Sequence, residues 1–471
     1  MSATKRAWNA LGPYIRGGFQ TSTTRTKPII NPCTGKPTPN HVITEATTDH
    51  VKEALLSARQ AQASWESTSG SERRDALLGL ADAIDRHRKS MTDLERIQTG
   101  KPLEDAEYEI NDTIECIRYF AGYADKLFGH SMVDNNLHSI TLREPYGVVG
   151  LVVSFNYPLM LAGWKVAPAL AAGNCVVLKP APQTPLTALA LADLATGYLP
   201  PGVLSVLPGD ANVGRAILEG VDKGSFTGST KAGQMIMQQQ AERLTPLTLE
   251  CGGKNPVIVL KDADIEGAAG YVALGAFSNA GQNCCAVSRV YVDRSIHDQF
   301  VETVIREMDK IDYGPVIDQH QYDRVQTFIQ QRDPAYTSQV VPPTLKEQLT
   351  EDGYFVPAAL FTHVPDDAPM ATEEIFGPVL SILEPFDDVE SAIQRANSLP
   401  YGLAGGVFGK DQRQTHHVAS KLRTGYVWIN TYNLMPPYNP FGGRKLSGIG
   451  KDLGQAALDE FTFVKSVVTS L

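Results

Sequence analysis

The chain predicts an α/β fold of two lobes, each organised on a largely parallel sheet, on three observations. At 471 residues it exceeds what one hydrophobic core ordinarily serves. Residues 48–130 carry helical periodicity. From residue 146 onward, short β-branched runs alternate with Ala/Leu-rich stretches, twice over, as repeated strand–helix–strand units do.

The helices come first. Val51–Ala63 and Arg74–His87 repeat apolar positions every three or four residues between charges. The first strand series is Val148–Val153, Cys175–Leu178, Val203–Leu207 and Gly224–Phe226, with helical segments between. A second series follows at Val257–Leu260, Arg289–Val292, Val379–Leu383, Gly405–Phe408 and Tyr426–Asn430, so the lobes join near Glu250–Lys254. The most hydrophobic stretch, Gly147–Gly173, contains Asn156, Pro158, Lys165 and Pro168. It therefore reads as a buried strand followed by a buried helix, not a membrane span. Phe461–Leu471 is rich in Val, Phe and Thr with no partner strand evident in sequence. A terminal strand of this kind often pairs with another subunit, so an oligomer is expected.

Composition excludes several classes. A net charge of −10 argues against a general nucleic-acid or anionic-membrane binder. The ten His residues show no ligand spacing, and the adjacent His416 and His417 point apart on a helix, so no metal site is expected. The six cysteines, Cys33, Cys116, Cys175, Cys251, Cys284 and Cys285, are scattered without a CxxC pair, which suits a reducing compartment. The N-terminal residues lack the apolar core of a secretory signal, so the expected location is cytoplasmic.

Three fragments carry chemistry. Cys284 and Cys285 lie in Asn279–Arg289, a loop between elements. Glu250 stands 34 residues upstream in Leu249–Pro256, and Asn156 lies in Ser154–Pro158 beside an apolar strand. A thiol, a carboxylate and an amide are the parts needed to oxidise an aldehyde through a covalent thioester. A free Cys is most often a small buried hydrophobe, so context alone separates Cys284 from that reading. The first lobe has no GxGxxG fingerprint. It has Phe226–Gly233, a strand end running into a helix, where Gly228, Ser229 and Thr230 suit phosphate or an ordinary capped helix start. Lys179, after another strand, is either a ribose ligand or a solvated turn residue.

With Leu178–Pro180, Glu373–Val379 and Pro440–Gly443 added, seven fragments in order over nearly the whole length resemble the aldehyde dehydrogenase superfamily. The resemblance implies a Rossmann-like nucleotide lobe (1–130 and 147–253), a catalytic lobe (254–445) and a small β oligomerisation element (131–146 and 446–471). It implies NAD or NADP as cofactor, a small-molecule aldehyde as substrate and a homodimer or homotetramer. Cys284 becomes the nucleophile, Asn156 an oxyanion donor with the Cys284 backbone N–H, and Glu250 the base that activates hydrolytic water. Lys179 is assigned to the adenosine ribose, Ser229 to the pyrophosphate, Glu374 to the nicotinamide ribose and Phe376 to the nicotinamide. Ser154, Phe155, Gly209 and Gly228 complete the cofactor contacts.

The departures bear on specificity. Pro182 stands where the family often has a Glu that bonds the ribose hydroxyls and repels the 2′-phosphate of NADP. Phe155 replaces a common Trp, Asp452 replaces a Glu that resembles part of a proton path, and Asp312–Pro315 is a tighter connection. Tyr157 and Trp164, seven apart on an expected helix, would share a face and line the substrate tunnel with Phe441. Aromatic faces bind quaternary ammonium groups, each for roughly 0.5–2 kcal/mol. The betaine-aldehyde and aminoaldehyde dehydrogenases are similar here, but position 278 is Ser where some carry an aromatic. A generic apolar funnel is the simpler reading. An acylating enzyme that uses coenzyme A is the remaining alternative, and Glu250 counts against it.

Overall fold

The computed structural model describes residue 8 and residues 10–20, 25–330, 337–340 and 352–471. Residues 1–7, on which the expected location rests, lie outside the described residues. The first lobe is an eight-stranded sheet. Its five central strands are parallel and lie in the order Leu247–Glu250, Lys223–Thr227, Val148–Val152, Cys175–Lys179 and Leu204–Val206. The chain starts at Val148–Val152 and builds outward in both directions, so the strand order reverses beside it, between Val148–Val152 and Lys223–Thr227. Short antiparallel strands close both edges, Gly448–Ile449 on one side and Tyr14–Ile15 with Gly18–Phe19 on the other.

The second lobe is a seven-stranded sheet around Asn255–Val259. It is parallel throughout except for Thr337–Val340 at one edge. Both sheets are covered by helices, which explains why their strands read as continuous apolar runs: Val148–Val152 and Asn255–Val259 are buried at every residue. The helix Pro158–Ala171 is buried all round and begins with Pro at its first turn, where the missing N–H costs nothing. The two early helices run Thr48–Ser67 and Gly70–Arg86, each opened by a capping box, from Thr47 with His50 and from Ser69 with Glu72.

The terminal strand departs from expectation. Thr462–Ser470 finds its partner within this chain, pairing antiparallel with Leu137–Pro145, which also pairs with Ser131–Asp134. Leu137–Pro145 has no fully buried residue, so the apolar alternation that marks a strand is missing from its sequence. Residues 446–461, grouped above with this element, pack elsewhere: Gly448–Ile449 joins the first sheet and the helix Gly454–Glu460 packs on Pro158–Ala171. No helix among the described residues is long and apolar enough to cross a membrane.

Candidate active site

The expected groups of the first lobe gather at the carboxyl ends of its parallel strands. Register sets Val152 opposite both Lys179 and Phe226, and Thr227 opposite Glu250. Ser154, Phe155 and Asn156 therefore follow the central strand, Lys179 ends its neighbour and Gly209 lies just beyond the next. Gly228 and Ser229 follow on the other side, and Glu250 closes the row. This is the crevice where open α/β sheets take ligands.

Lys179 is buried and its ammonium donates to the Pro180 carbonyl at 3.0 Å. Burial lowers its pKa to about 8, opposed by the Asp210 carboxylate. Ser229 caps the helix Thr230–Ala241, its hydroxyl accepting from the Ala232 N–H at 3.3 Å.

From the second lobe, Glu374 and Phe376 reach the same cleft. The Phe155 and Phe376 rings meet edge to face, 5.8 Å apart at 87°. The Glu374 carboxylate accepts from the Gly253 N–H at 3.1 Å, and burial raises its pKa to about 7. Gly252 leaves room for that carboxylate: a Cβ there would lie 2.1 Å from its oxygen and displace it. The cleft is lined by Gly253, Lys254, Asn283, Glu374 and Phe376. A buried cation, a helix start, two facing rings and a carboxylate suit the ribose, pyrophosphate and planar ring of a dinucleotide.

The loop that carries Cys284 is rigidly built. Asn279, Ala280 and Gly281 all take left-handed conformations, with φ of 53°, 54° and 68°. The two non-glycine residues cost roughly 1–3 kcal/mol each and persist only where surroundings over-determine them. Gly281 is obligatory, since a Cβ would also lie 2.1 Å from the Gly377 carbonyl oxygen. The Gln282 amide accepts from the Ile317 N–H at 2.9 Å and donates to the Asn279 carbonyl at 3.1 Å. The Asn255 amide donates to the carbonyls of Cys284 and Ala286, both at 2.9 Å. The Asn279 amide donates to the carbonyls of Asn156 at 2.9 Å and Gln282 at 3.1 Å, which joins the two lobes.

Burial and neighbouring groups raise the pKa of both Cys284 and Glu250. The Cys285 thiol and then burial push the Cys284 thiol well above its ordinary range, with Glu374 and Glu250 adding repulsion. Cys284 is half-buried while Cys285 is fully buried, with its thiol 3.1 Å from the Asn283 side-chain oxygen. Burial first, then Asp452, push Glu250 well above the carboxylate range. Lys165, Lys451 and the Gly443 backbone N–H oppose that rise. Behind it, the buried Lys165 ammonium pairs with Asp452 at 2.8 Å and donates to Ser225 at 2.9 Å.

Of the three expected substrate residues, two are in ring contact. Tyr157 precedes the helix Pro158–Ala171, so the seven-residue helical spacing with Trp164 does not apply. It makes no ring contact with Trp164 or Phe441 among the described residues; the Lys101 ammonium sits 4.2 Å over its ring instead. Trp164 and Phe441 are buried against each other, 5.5 Å apart at 63°. The Trp164 indole N–H donates to Asp112 at 2.7 Å, and burial raises the Asp112 pKa to about 7.

Sequence reasoning missed Asn279, Glu109 and Asp112. Glu109 is buried, pairs with Lys101 at 2.5 Å, and accepts from the N–H groups of Leu159 and Met160 at 2.9 and 3.2 Å. The only signal in the sequence was an acid every three or four residues, Asp105, Glu109 and Asp112, which a solvated helix face produces as well.

Residues 19–467 match the aldehyde dehydrogenase family. The chain is 39% identical to an aldehyde dehydrogenase of Aspergillus niger, over 97% of this chain and 94% of that protein. It is similar to the solved NAD+ complex of an aldehyde dehydrogenase from Bacillus cereus, with 40% identity and a TM-score of 0.93 over 98% of this chain and 97% of that one. The NAD+ complex of a betaine aldehyde dehydrogenase from Staphylococcus aureus gives 35% identity and a TM-score of 0.92, over 97% and 94%. By this match over nearly its whole length, the chain belongs to the aldehyde dehydrogenase family and is an NAD(P)-dependent aldehyde dehydrogenase.

Proposed function

We propose that the enzyme makes a carboxylic acid through a thioester on Cys284, hydrolysed by water that Glu250 deprotonates. The observation that carries this reading is that the buried Glu250 carboxyl acts on the Cys284 thiol, while the Asn279 amide ties Asn156 to the same loop. The Cys284 thiol has a raised pKa, so its proton leaves as the sulfur attacks, and Glu250 in its ionised form would receive it. The Cys284 sulfur adds to the aldehyde carbon, and the Asn156 amide with the Cys284 backbone N–H takes the oxyanion. NAD(P), when bound, accepts the hydride that converts this adduct to the thioester. Lys179, Ser229, Glu374 and the Phe155–Phe376 pair would hold it. Glu250 must release the thiol proton before it takes one from water, and Asp452, whose charge acts on Glu250, would carry it away.

Nicotinamide reduction followed at 340 nm with a panel of aldehydes tests this. Wild type is expected to turn over, and Cys284→Ala to lose at least about 10³-fold, since a covalent route is removed. Turnover that depends on added coenzyme A would defeat the hydrolytic reading.

For substrate, the buried Trp164–Phe441 pair supports an apolar aldehyde. A second reading, an aminoaldehyde, is favoured by one observation: the Asp112 carboxyl at the Trp164 indole. A quaternary ammonium is less favoured, because the Lys101 ammonium already occupies the Tyr157 face and Ser278 adds no ring. Under the second reading Asp112→Asn raises KM for aminoaldehydes and leaves that of aliphatic aldehydes of equal length unchanged.

A further inference from the structure

The two groups assigned to the oxyanion, the Asn156 side chain and the Cys284 backbone N–H, stand on different lobes, so some contact must fix the gap between them. We infer that Asn279 is that contact: a positioning residue whose amide sets the separation of the two oxyanion donors. Its side-chain nitrogen carries two hydrogens, and the two acceptors lie on opposite sides of the gap. One is the carbonyl of Asn156 itself, at 2.9 Å; the other is the carbonyl of Gln282, two residues before Cys284, at 3.1 Å. The residue is 6% exposed, so water does not compete for these donors.

The backbone tells the same story. Asn279 stands first of three consecutive left-handed residues, and Asn tolerates that region better than other non-glycine residues. Its own carbonyl is held by the Gln282 amide, which the Ile317 N–H fixes in turn. Its N–H reaches Asp105 at the start of the helix Leu103–Ala121. The residue is thus fixed from three elements while its amide spans the cleft. An oxyanion site depends on donors placed before charge develops, so a small change in this span lowers the rate without changing how substrate or cofactor binds.

This inference rests on the assignment of Asn156 as oxyanion donor, and a double-mutant cycle separates the two. Asn279→Gly keeps the left-handed backbone and removes only the amide; Asn279→Asp keeps the shape and removes both donors. The readout is the single-turnover rate of nicotinamide reduction at saturating aldehyde, with the dissociation constant of NADH measured by fluorescence. Each Asn279 variant is expected to slow the single turnover about 10- to 100-fold, with KM and the NADH constant within about twofold of wild type. Asn156→Ala is expected to lose about 10²- to 10³-fold, and Asn156→Ala with Asn279→Gly to be no slower than Asn156→Ala alone. Multiplying losses in the double variant, or a full rate in Asn279→Gly or Asn279→Asp, overturns the inference. A full rate in Asn156→Ala removes the assignment beneath it, and the inference with it. If Asn279→Gly fails to fold, Asn279→Asp, whose melting temperature is measured alongside, carries the same comparison.

Discussion

Glu250 is the residue whose chemistry depends most on its surroundings. Burial is the larger cause of its raised pKa and the Asp452 charge the next, while Lys165 and Lys451 oppose them. Asp452→Asn removes a negative charge and leaves the Lys165 ammonium unpaired beside Glu250, and both changes favour the ionised carboxylate. The expected outcome is that the pH at which thioester hydrolysis rises moves down, by up to about one unit. Cofactor-independent hydrolysis of a nitrophenyl ester between pH 5 and 9 measures it; an unmoved or upward limb counts against the linkage. Glu250, Cys284 and Asn156 were legible because each sits in a short fragment whose residue types have a chemical purpose. Asn279 was not, because its partners are backbone carbonyls, one of them 123 residues away. A carbonyl leaves no mark on a sequence.

At the scale of elements, the buried Lys101–Glu109 pair holds the start of the helix that carries Trp164 and Lys165. Glu109 accepts from the two N–H groups at that start and bonds Lys101, whose ammonium also covers Tyr157. Removing one member of a buried pair leaves the other uncompensated. Glu109→Leu is therefore expected to destabilise by on the order of 3–5 kcal/mol, and adding Lys101→Met to recover part of it. Thermal melts of the three proteins check this; equal losses in single and double variants would show that the pair does not act together.

Asp112 predicts a pH effect on the same helix pair. Its folded pKa, about 7, exceeds the unfolded value of 3.8, so folding takes up a proton between them. Stability from this group is full below about pH 4 and is lost as pH rises through 7. Asp112→Asn keeps an acceptor for the Trp164 indole and should melt higher than wild type at pH 8, with the gap closing near pH 4. The parallel strands and their helices were legible because burial on both faces makes each strand a β-branched run. The strands Thr26–Asn31, Lys36–Thr44 and Leu137–Pro145 were not, since they are mostly exposed or half-buried and carry polar residues and prolines.

At the scale of the whole molecule, the described residues include an exposed sheet with apolar side chains and an open edge. The three-stranded sheet of Ser131–Asp134, Leu137–Pro145 and Thr462–Ser470 exposes Met132, Leu137, Val464 and Val468 on one face and Val133, Phe463 and Val467 on the other. Its outer strand, Thr462–Ser470, is bonded on one side only, and eight of its nine residues are exposed. Contiguous apolar surface on a strand with a free edge marks an association site. The internal pairing with Leu137–Pro145 does not remove that need. It builds the strand into a platform, and the open edge and the apolar face both remain. The proposed homodimer or homotetramer should therefore form through this sheet, and light scattering should give a mass of two or four chains at micromolar concentration. Val464→Lys with Val468→Lys, far in sequence from Cys284, Glu250 and Asn156, is expected to shift the mass toward a single chain while Cys284 keeps its reaction with a thiol reagent. A wild-type mass of one chain, or an assembly indifferent to both lysines, would place the association elsewhere or nowhere.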